Sequence, residues 1–215
     1  MIRQPHSILA SLLLLAAAVF PVLTVAQDTP DSVLERIRIQ ETRHFSYRET
    51  RILKLLEEPW LATGDMYISP QQMVIARQSP TPVFTVITAD RMQHIDAGQN
   101  IDRSLKLEHP FAVPGMEPFM QLLYRPTGDT EQERYDVNSF ETAGQRWSLQ
   151  LAPRQNTADG IIRIELSGDS GLGPDRMVLE HADGDRTEWQ LSLQSQGEAA
   201  GRKMQQLLES IHQAP

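Results

Sequence analysis

From His44 to Asp96 the chain reads as five short strands that follow one another with little between them, and no other stretch limits the possible folds so strongly. HFSYRETRILKLL sets Phe45, Tyr47, Leu53 and Leu55 on one side and His44, Ser46, Arg48, Thr50 and Lys54 on the other, a period of two. In WLATGDMYI, Trp60, Ala62, Met66 and Ile68 share a side. Met73 and Ile75 do the same in QMVIARQ, and VFTVIT and RMQHID follow. Pro59, Pro70, Pro80 and Pro82 punctuate the run. Strands this close are neighbours in an antiparallel meander, because parallel neighbours need crossovers of about a dozen residues or more.

The rest of the chain supplies the other half of this wall and something to cover it. Thr29 as N-cap and Pro30 in the first turn start a short amphipathic helix carrying Val33, Leu34 and Ile37. IDRSLKL is a sixth strand. Residues 109–134 then lose the period of two and hold a dense apolar block: Phe111, Val113, Met116, Phe119, Met120, Leu122 and Leu123. Pro118 can open a helix there that Pro126 stops, which makes this insertion the natural lid. The second half returns to cleaner alternation. Trp147, Leu149 and Leu151 oppose Ser148 and Gln150, Ile162, Ile164 and Leu166 oppose Arg163 and Glu165, and Trp189, Leu191 and Leu193 oppose Glu188, Gln190 and Ser192. Asp183-Gly184 marks a hairpin, and Glu198 to His212 closes as an amphipathic helix. The expected fold is mainly β with α: a single strongly curved antiparallel sheet of about 10–11 strands, an incomplete barrel with a greasy concave face, its mouth covered by helices as a lid.

With 215 residues the chain supports one good core, and the formal charge of -8 without any Lys/Arg cluster disfavours nucleic acid and anionic lipid surfaces. Residues 1–26 read as a secretory signal peptide: Arg3, an apolar core of 13 residues from Ile8 to Phe20, and small residues up to a cleavage near Ala26. There is no cysteine, so an exported domain over 27–215 has no disulfide and no lipidated N-terminal Cys. The expectation is a monomer in a Gram-negative periplasm. The histidines His44, His94, His109 and His181 never reach metal-ligand spacing, so neither metal nor cofactor is expected. Ser167-Gly168-Asp169-Ser170-Gly171 lacks the strand-to-helix elbow of a nucleophile and reads as a turn. Glu57-Glu58, and Glu49 with Arg48 and Arg51, read as charge on a wetted face. No enzyme chemistry is expected, and a hydrolase of acyl groups is the enzyme-class alternative.

The order helix, meander, helical insertion, meander carries Phe45-x-Tyr47-x-Glu49, Gly64-Asp65-Met66-Tyr67 ahead of Pro70, Pro118-Phe119-Met120, Trp147-Ser-Leu149-Gln-Leu151-Ala-Pro153-Arg154, and Asp183-Gly184-Asp185-Arg186-Thr187 with Trp189-Gln-Leu191. In this it resembles the periplasmic outer-membrane lipoprotein carriers, the LolA-like family, in a divergent branch, over roughly Asp31 to Gln194. The resemblance implies an unclosed barrel with a helical lid and a hydrophobic cavity for the acyl chains of a lipoprotein. It also implies two partners, an inner-membrane ABC releasing complex and an outer-membrane receptor. One departure stands out: family members carry an arginine before the proline that ends the second strand, part of the lid latch, whereas here Ser69 precedes Pro70, with Arg77 and Arg91 as candidate replacements.

A carrier of this kind needs apolar contact, since each methylene withdrawn from water is worth about 0.8 kcal/mol. Strand parity and the lid block nominate Phe45, Tyr47, Trp60, Met66, Ile68, Met73, Ile75, Phe84 and Met92 from the first half, Phe111, Met116, Phe119, Met120 and Leu123 from the insertion, and Trp147, Leu149, Ile164 and Trp189 from the second half. The methionines suit the task, because an unbranched thioether repacks around chains of variable shape. Each methionine and tryptophan also suits ordinary core packing. Two other functions fit the same architecture: a carrier for another lipid or glycolipid, and a module that senses mislocalised lipoprotein.

Overall fold

A computed structural model describes residues 28–108, 113, 120, 122–124, 135–154, 160–170 and 173–213. The signal peptide expected over residues 1–26 and most of the insertion, including Phe111, Met116 and Phe119, lie outside them. Helix α1 spans Pro30–Ile37 and begins as its sequence dictates. The Ser32 N–H donates to the Thr29 hydroxyl at 3.2 Å and the Thr29 N–H donates to the Ser32 hydroxyl at 2.9 Å, so two orphan donors are satisfied reciprocally. Proline at the first helical position gives up a donor that would be unpaired there anyway, and Val33, Leu34 and Ile37 are buried.

Eleven strands follow: β1 (Arg43–Ile52), β2 (Trp60–Ile68), β3 (Gln72–Ser79), β4 (Val83–Thr88), β5 (Arg91–Asp96), β6 (Ile101–Lys106), β7 (Tyr135–Ala143), β8 (Arg146–Pro153), β9 (Ile161–Asp169), β10 (Pro174–His181) and β11 (Arg186–Gln196). A C-terminal helix, α2 (Glu198–Gln213), completes the elements. The strands form one sheet in the order β6-β5-β4-β3-β2-β1-β11-β10-β9-β8-β7. Each half is a meander of antiparallel neighbours, and the halves join where β1 pairs with β11. The sheet is not closed: β6 and β7 are its two edges. They are also consecutive strands in the chain.

The two faces differ in chemistry. One buries Phe45, Tyr47, Met66, Ile68, Met73, Ile87, Trp147, Leu149, Leu151, Ile164, Leu166, Met177, Leu179 and Trp189 in a single core. That core also takes in Val33, Leu34 and Ile37 of α1, and Leu107, Val113, Met120, Leu122, Leu123 and Tyr135 at or beside the edge-to-edge connection. The opposite face of β8 to β11 is wet. Cross-strand ion pairs run along it, with Arg176 gripping both oxygens of Glu188 at 2.9 and 3.0 Å and Arg163 pairing with Glu180.

On β1 to β4 this second face is partly apolar, and there the structure departs from expectation. Helix α2 does not cover the core face. Its Met204, Leu207 and Leu208 pack with Tyr67, Val74 and Val86, which stand on the far side of the sheet. Among the described residues, α1 and the buried Val113, Met120, Leu122 and Leu123 join the core face. Strand β1 is also shorter than its alternation implies, and Leu55 is 96% exposed. After Ile52 the backbone is diverted: the Lys54 N–H donates to the Asp185 carboxylate in the β10–β11 turn at 2.8 Å, and the Leu56 N–H donates to the Leu53 carbonyl at 2.9 Å.

Candidate functional site: a cavity against the first half of the sheet

A cavity of ≈ 300 Å³ lies against the core face of β1 to β5 and β11. The period of two aims its walls: Tyr47, Glu49 and Arg51 point the same way from β1, Trp60 and Met66 from β2, Ile75 and Arg77 from β3, Val83, Thr85 and Ile87 from β4, and Met92 and His94 from β5. Trp189 of β11 and Val113 of the connection complete it. Register sorts these residues by height along the strands. Arg51 pairs with Trp60, and Glu49 with Trp189 and Ala62. Next come Arg77 opposite both Gly64 and Val83, then Ile75 opposite Met66 and Thr85, and last Ile87 opposite Met92. The cavity is therefore charged at one end and apolar at the other.

The charged end is tightly organised. The Arg51 Nε–H donates to Glu49 Oε1 at 2.6 Å, and the Glu49 side chain is only 7% exposed while that of Arg51 is 46% exposed. The guanidinium carbons of Arg51 and Arg77 lie 4.8 and 5.7 Å from the Trp60 ring centroid, so one indole faces two cations. Arg77 also donates to the Thr81 carbonyl at 3.0 Å and to its hydroxyl at 3.1 Å. Burial, with Glu49 nearby adding to it, pushes the Tyr47 phenol up to about 12. Thr85 and His94 approach to 3.5 Å in the wall.

Of the residues nominated from sequence, Tyr47, Trp60, Met66, Ile75, Met92 and Trp189 come together around the cavity. Phe45, Ile68, Met73, Met120, Leu123, Trp147, Leu149 and Ile164 belong to the same core but are packed solid rather than lining the void. Trp147 illustrates the difference: it is 2% exposed, its indole N–H donates to the Asp169 carbonyl at 3.2 Å, and it lies over Gly168, its β9 partner. Phe84 does not face the cavity at all. It pairs with Ala76, and alternation puts it with Val74 and Val86 on the α2 side, because VFTVIT is apolar at both parities. Glu49 and Arg51 are not wetted-face charge; they share parity with Phe45 and Tyr47, and that parity was the available signal. Val83, Thr85, Ile87, His94 and Val113 also line the cavity without having been nominated.

Among the described residues, the bonds of Ser69 and of the latch candidate Arg77 stay within their own turns. Ser69, 2% exposed, builds the β2–β3 turn by donating to the Gln72 carbonyl at 3.0 Å. Arg77 sits at the charged end of the cavity, and Arg91 is exposed on β5. No group of three or more metal-binding side chains occurs among the described residues. The Ser170 hydroxyl in the former nucleophile-like stretch donates to Asp28 at 2.5 Å, and this bond together with Arg36 holds the Asp28 carboxyl below its usual range. What the cavity offers chemically is noncovalent: an apolar floor, a wall with two weak hydrogen-bonding groups, and a cationic, aromatic mouth.

No protein-family model matches the chain, and no curated protein matches it. Solved structures do. A LolA superfamily protein from Nitrosomonas europaea shares 10% identity, with 80% of this chain and 94% of that one covered at a TM-score of 0.44. LolA superfamily proteins are among its structural neighbours. A putative outer membrane lipoprotein-sorting protein domain from Vibrio parahaemolyticus shares 14% identity over 77% of this chain and 93% of that one, at a TM-score of 0.39. The lipoprotein LppX of Mycobacterium tuberculosis shares 10% identity over 76% and 95%, at a TM-score of 0.32. No helix among the described residues is long and apolar enough to cross a membrane.

Proposed function

We propose that this protein is a noncovalent carrier that shelters the acyl part of a lipid or lipoprotein in its cavity while crossing the periplasm. The observation that carries this reading is the void itself: a core face that is packed solid over β8 to β10 but leaves ≈ 300 Å³ open over β1 to β5. In this reading the sheet is an incomplete barrel. The described residues between β6 and β7 that are buried in the core, Val113, Met120, Leu122 and Leu123, belong to its lid. A lid held by apolar contacts can exchange those contacts for an acyl chain at little net cost. The signal peptide expected to be removed near Ala26 would deliver the domain over residues 27–215 to the periplasm. Lipoprotein is the cargo the resemblance implies, taken from an inner-membrane ABC complex and passed to an outer-membrane receptor. The volume favours the alternative of a smaller lipid, since ≈ 300 Å³ is at the low end of small-molecule pockets and holds one chain.

Binding of n-alkanols of increasing length to the mature protein, followed by tryptophan fluorescence, tests this. At about 0.8 kcal/mol per buried methylene, affinity should rise about fourfold per carbon. The rise should level off near about ten carbons, the room of about ten water-sized groups of about 30 Å³. Absence of any binding, together with no lipid in organic extracts of natively purified protein, would refute the carrier reading.

A further inference from the structure

An acyl chain alone does not account for the charged end of the cavity. Four titratable groups line the void besides Tyr47: Arg51, Arg77, Glu49 and His94. Arg51 and Glu49 neutralise each other at 2.6 Å. Arg77 has no carboxylate within 4.0 Å among the described residues; its two bonds go to neutral oxygens of Thr81. Those bonds use two of a guanidinium's five N–H donors, so others remain for a ligand. Arg51, Glu49 and Arg77 together carry one net positive charge beside a half-buried indole, where an anion is screened less than in open water.

We propose that the Arg51–Trp60–Arg77 mouth binds the carboxylate or phosphate of a single-tailed anionic amphiphile whose tail lies among Met66, Ile75, Ile87 and Met92. This rests on the carrier reading and names the ligand class for the same cavity. Arg77 is the anion's direct partner. Arg51 supports it by holding the Glu49 carboxylate, which would otherwise repel the ligand. The headgroup stays at the open end because the Arg51 side chain is 46% exposed, and the register places the apolar residues progressively farther from it.

The test compares dodecanoate, dodecyl phosphate, dodecanol and dodecyltrimethylammonium, each below its micellar concentration, by calorimetry on the mature wild-type protein and on the Arg77→Met and Arg77→Lys variants. One charge-assisted hydrogen bond implies that at least one of the two anions binds about tenfold or more tighter than dodecanol. Arg77→Met should abolish that preference by weakening the anions about tenfold or more beyond any change in dodecanol binding, and Arg77→Lys should keep part of it. Whichever anion binds more tightly assigns the headgroup as carboxylate or phosphate. Equal affinity of the wild-type protein for the anions, dodecanol and the cation would overturn the proposal and leave the carrier reading standing. So would equal losses for dodecanoate and dodecanol in Arg77→Met. Failure of all four probes to bind would overturn this proposal, and with no lipid in organic extracts of the natively purified protein it would remove the carrier reading as well.

Discussion

Replacing Gly64 with alanine should damage both the sheet and its cavity. A Cβ at this position would sit 2.1 Å from the Ala76 carbonyl oxygen, 2.9 Å from the Arg77 Cα and 3.0 Å from the Ala76 carbonyl carbon. All three are backbone atoms of the neighbouring strand, brought close by the irregularity between Thr63 and Gly64, so no side chain can swing away to relieve the contact. Overpacking of a core costs about 1–3 kcal/mol. Moving β3 also breaks ladder hydrogen bonds worth about 1 kcal/mol each, so Gly64→Ala should lose about 3–5 kcal/mol. In a domain of this size that lowers Tm by about 10 °C. The control is Gly144→Ala, where a Cβ meets nothing within 4 Å and only the positive φ of 63° is strained, at a cost of about 1 kcal/mol. Urea denaturation followed by circular dichroism measures both. Because accommodation displaces Arg77, the folded fraction of Gly64→Ala should also bind dodecanoate less selectively. A loss below that of Gly144→Ala would refute the close-approach argument.

Trp147→Ala should cost about 3–5 kcal/mol, because it empties a 2% exposed site in the solid part of the core and strands the Asp169 carbonyl; thermal denaturation reads this, and alkanol affinity measured on the folded protein should stay the same. Tyr47 makes stability fall in alkali. Its raised folded value means that the neutral phenol stabilises the protein fully below pH ~10 and that this contribution is lost as pH climbs towards about 12, amounting to about 3 kcal/mol at most. The difference between wild-type and Tyr47→Phe denaturation midpoints should therefore shrink or reverse over that window, and a constant difference would contradict the assignment.

Strand content was legible because proline-bounded alternation has few other solutions, and α1 because Thr29, Pro30 and Ser32 carry a complete start signal. The side on which α2 docks was not legible: an amphipathic helix records that it has a buried face, and not what buries it. The clue lay in the sheet, where Tyr67, Val74 and Val86 are apolar at positions whose counterparts on β9 and β11 are Arg163, Glu165 and Glu188. Leu55 misled because a hairpin tip continues the alternation of its strand while its backbone has already turned, held by an acceptor, Asp185, that is 131 residues away. Phe84 misled for the opposite reason, in that both faces of β4 are apolar and parity then has no reference.

The cavity arises from a difference in side-chain volume between the two halves of one face. Over β8 to β10 the inward positions are Trp147, Leu149, Leu151, Ile164, Leu166, Met177 and Leu179, all between 0 and 2% exposed, in one core with Val33, Leu34 and Ile37 of α1. Over β2 and β4 the matching positions include the smaller Ala62, Gly64, Val83 and Thr85, and Val83 and Thr85 line the cavity. Proteins pack their interiors to near crystalline density, so a deficit of this kind survives only if something else fills it or if the fold tolerates the lost dispersion contacts. The flexible side chains at the deficit, Met66 and Met92, are the ones best able to follow a chain of variable shape, and the rigid pair Trp60 and Trp189 stand at the charged end where a headgroup has to stop. Small residues for volume, thioethers for adaptation and the Arg77 guanidinium for the anion thus fall on neighbouring strands in the order that one amphiphile, lying along them, would require.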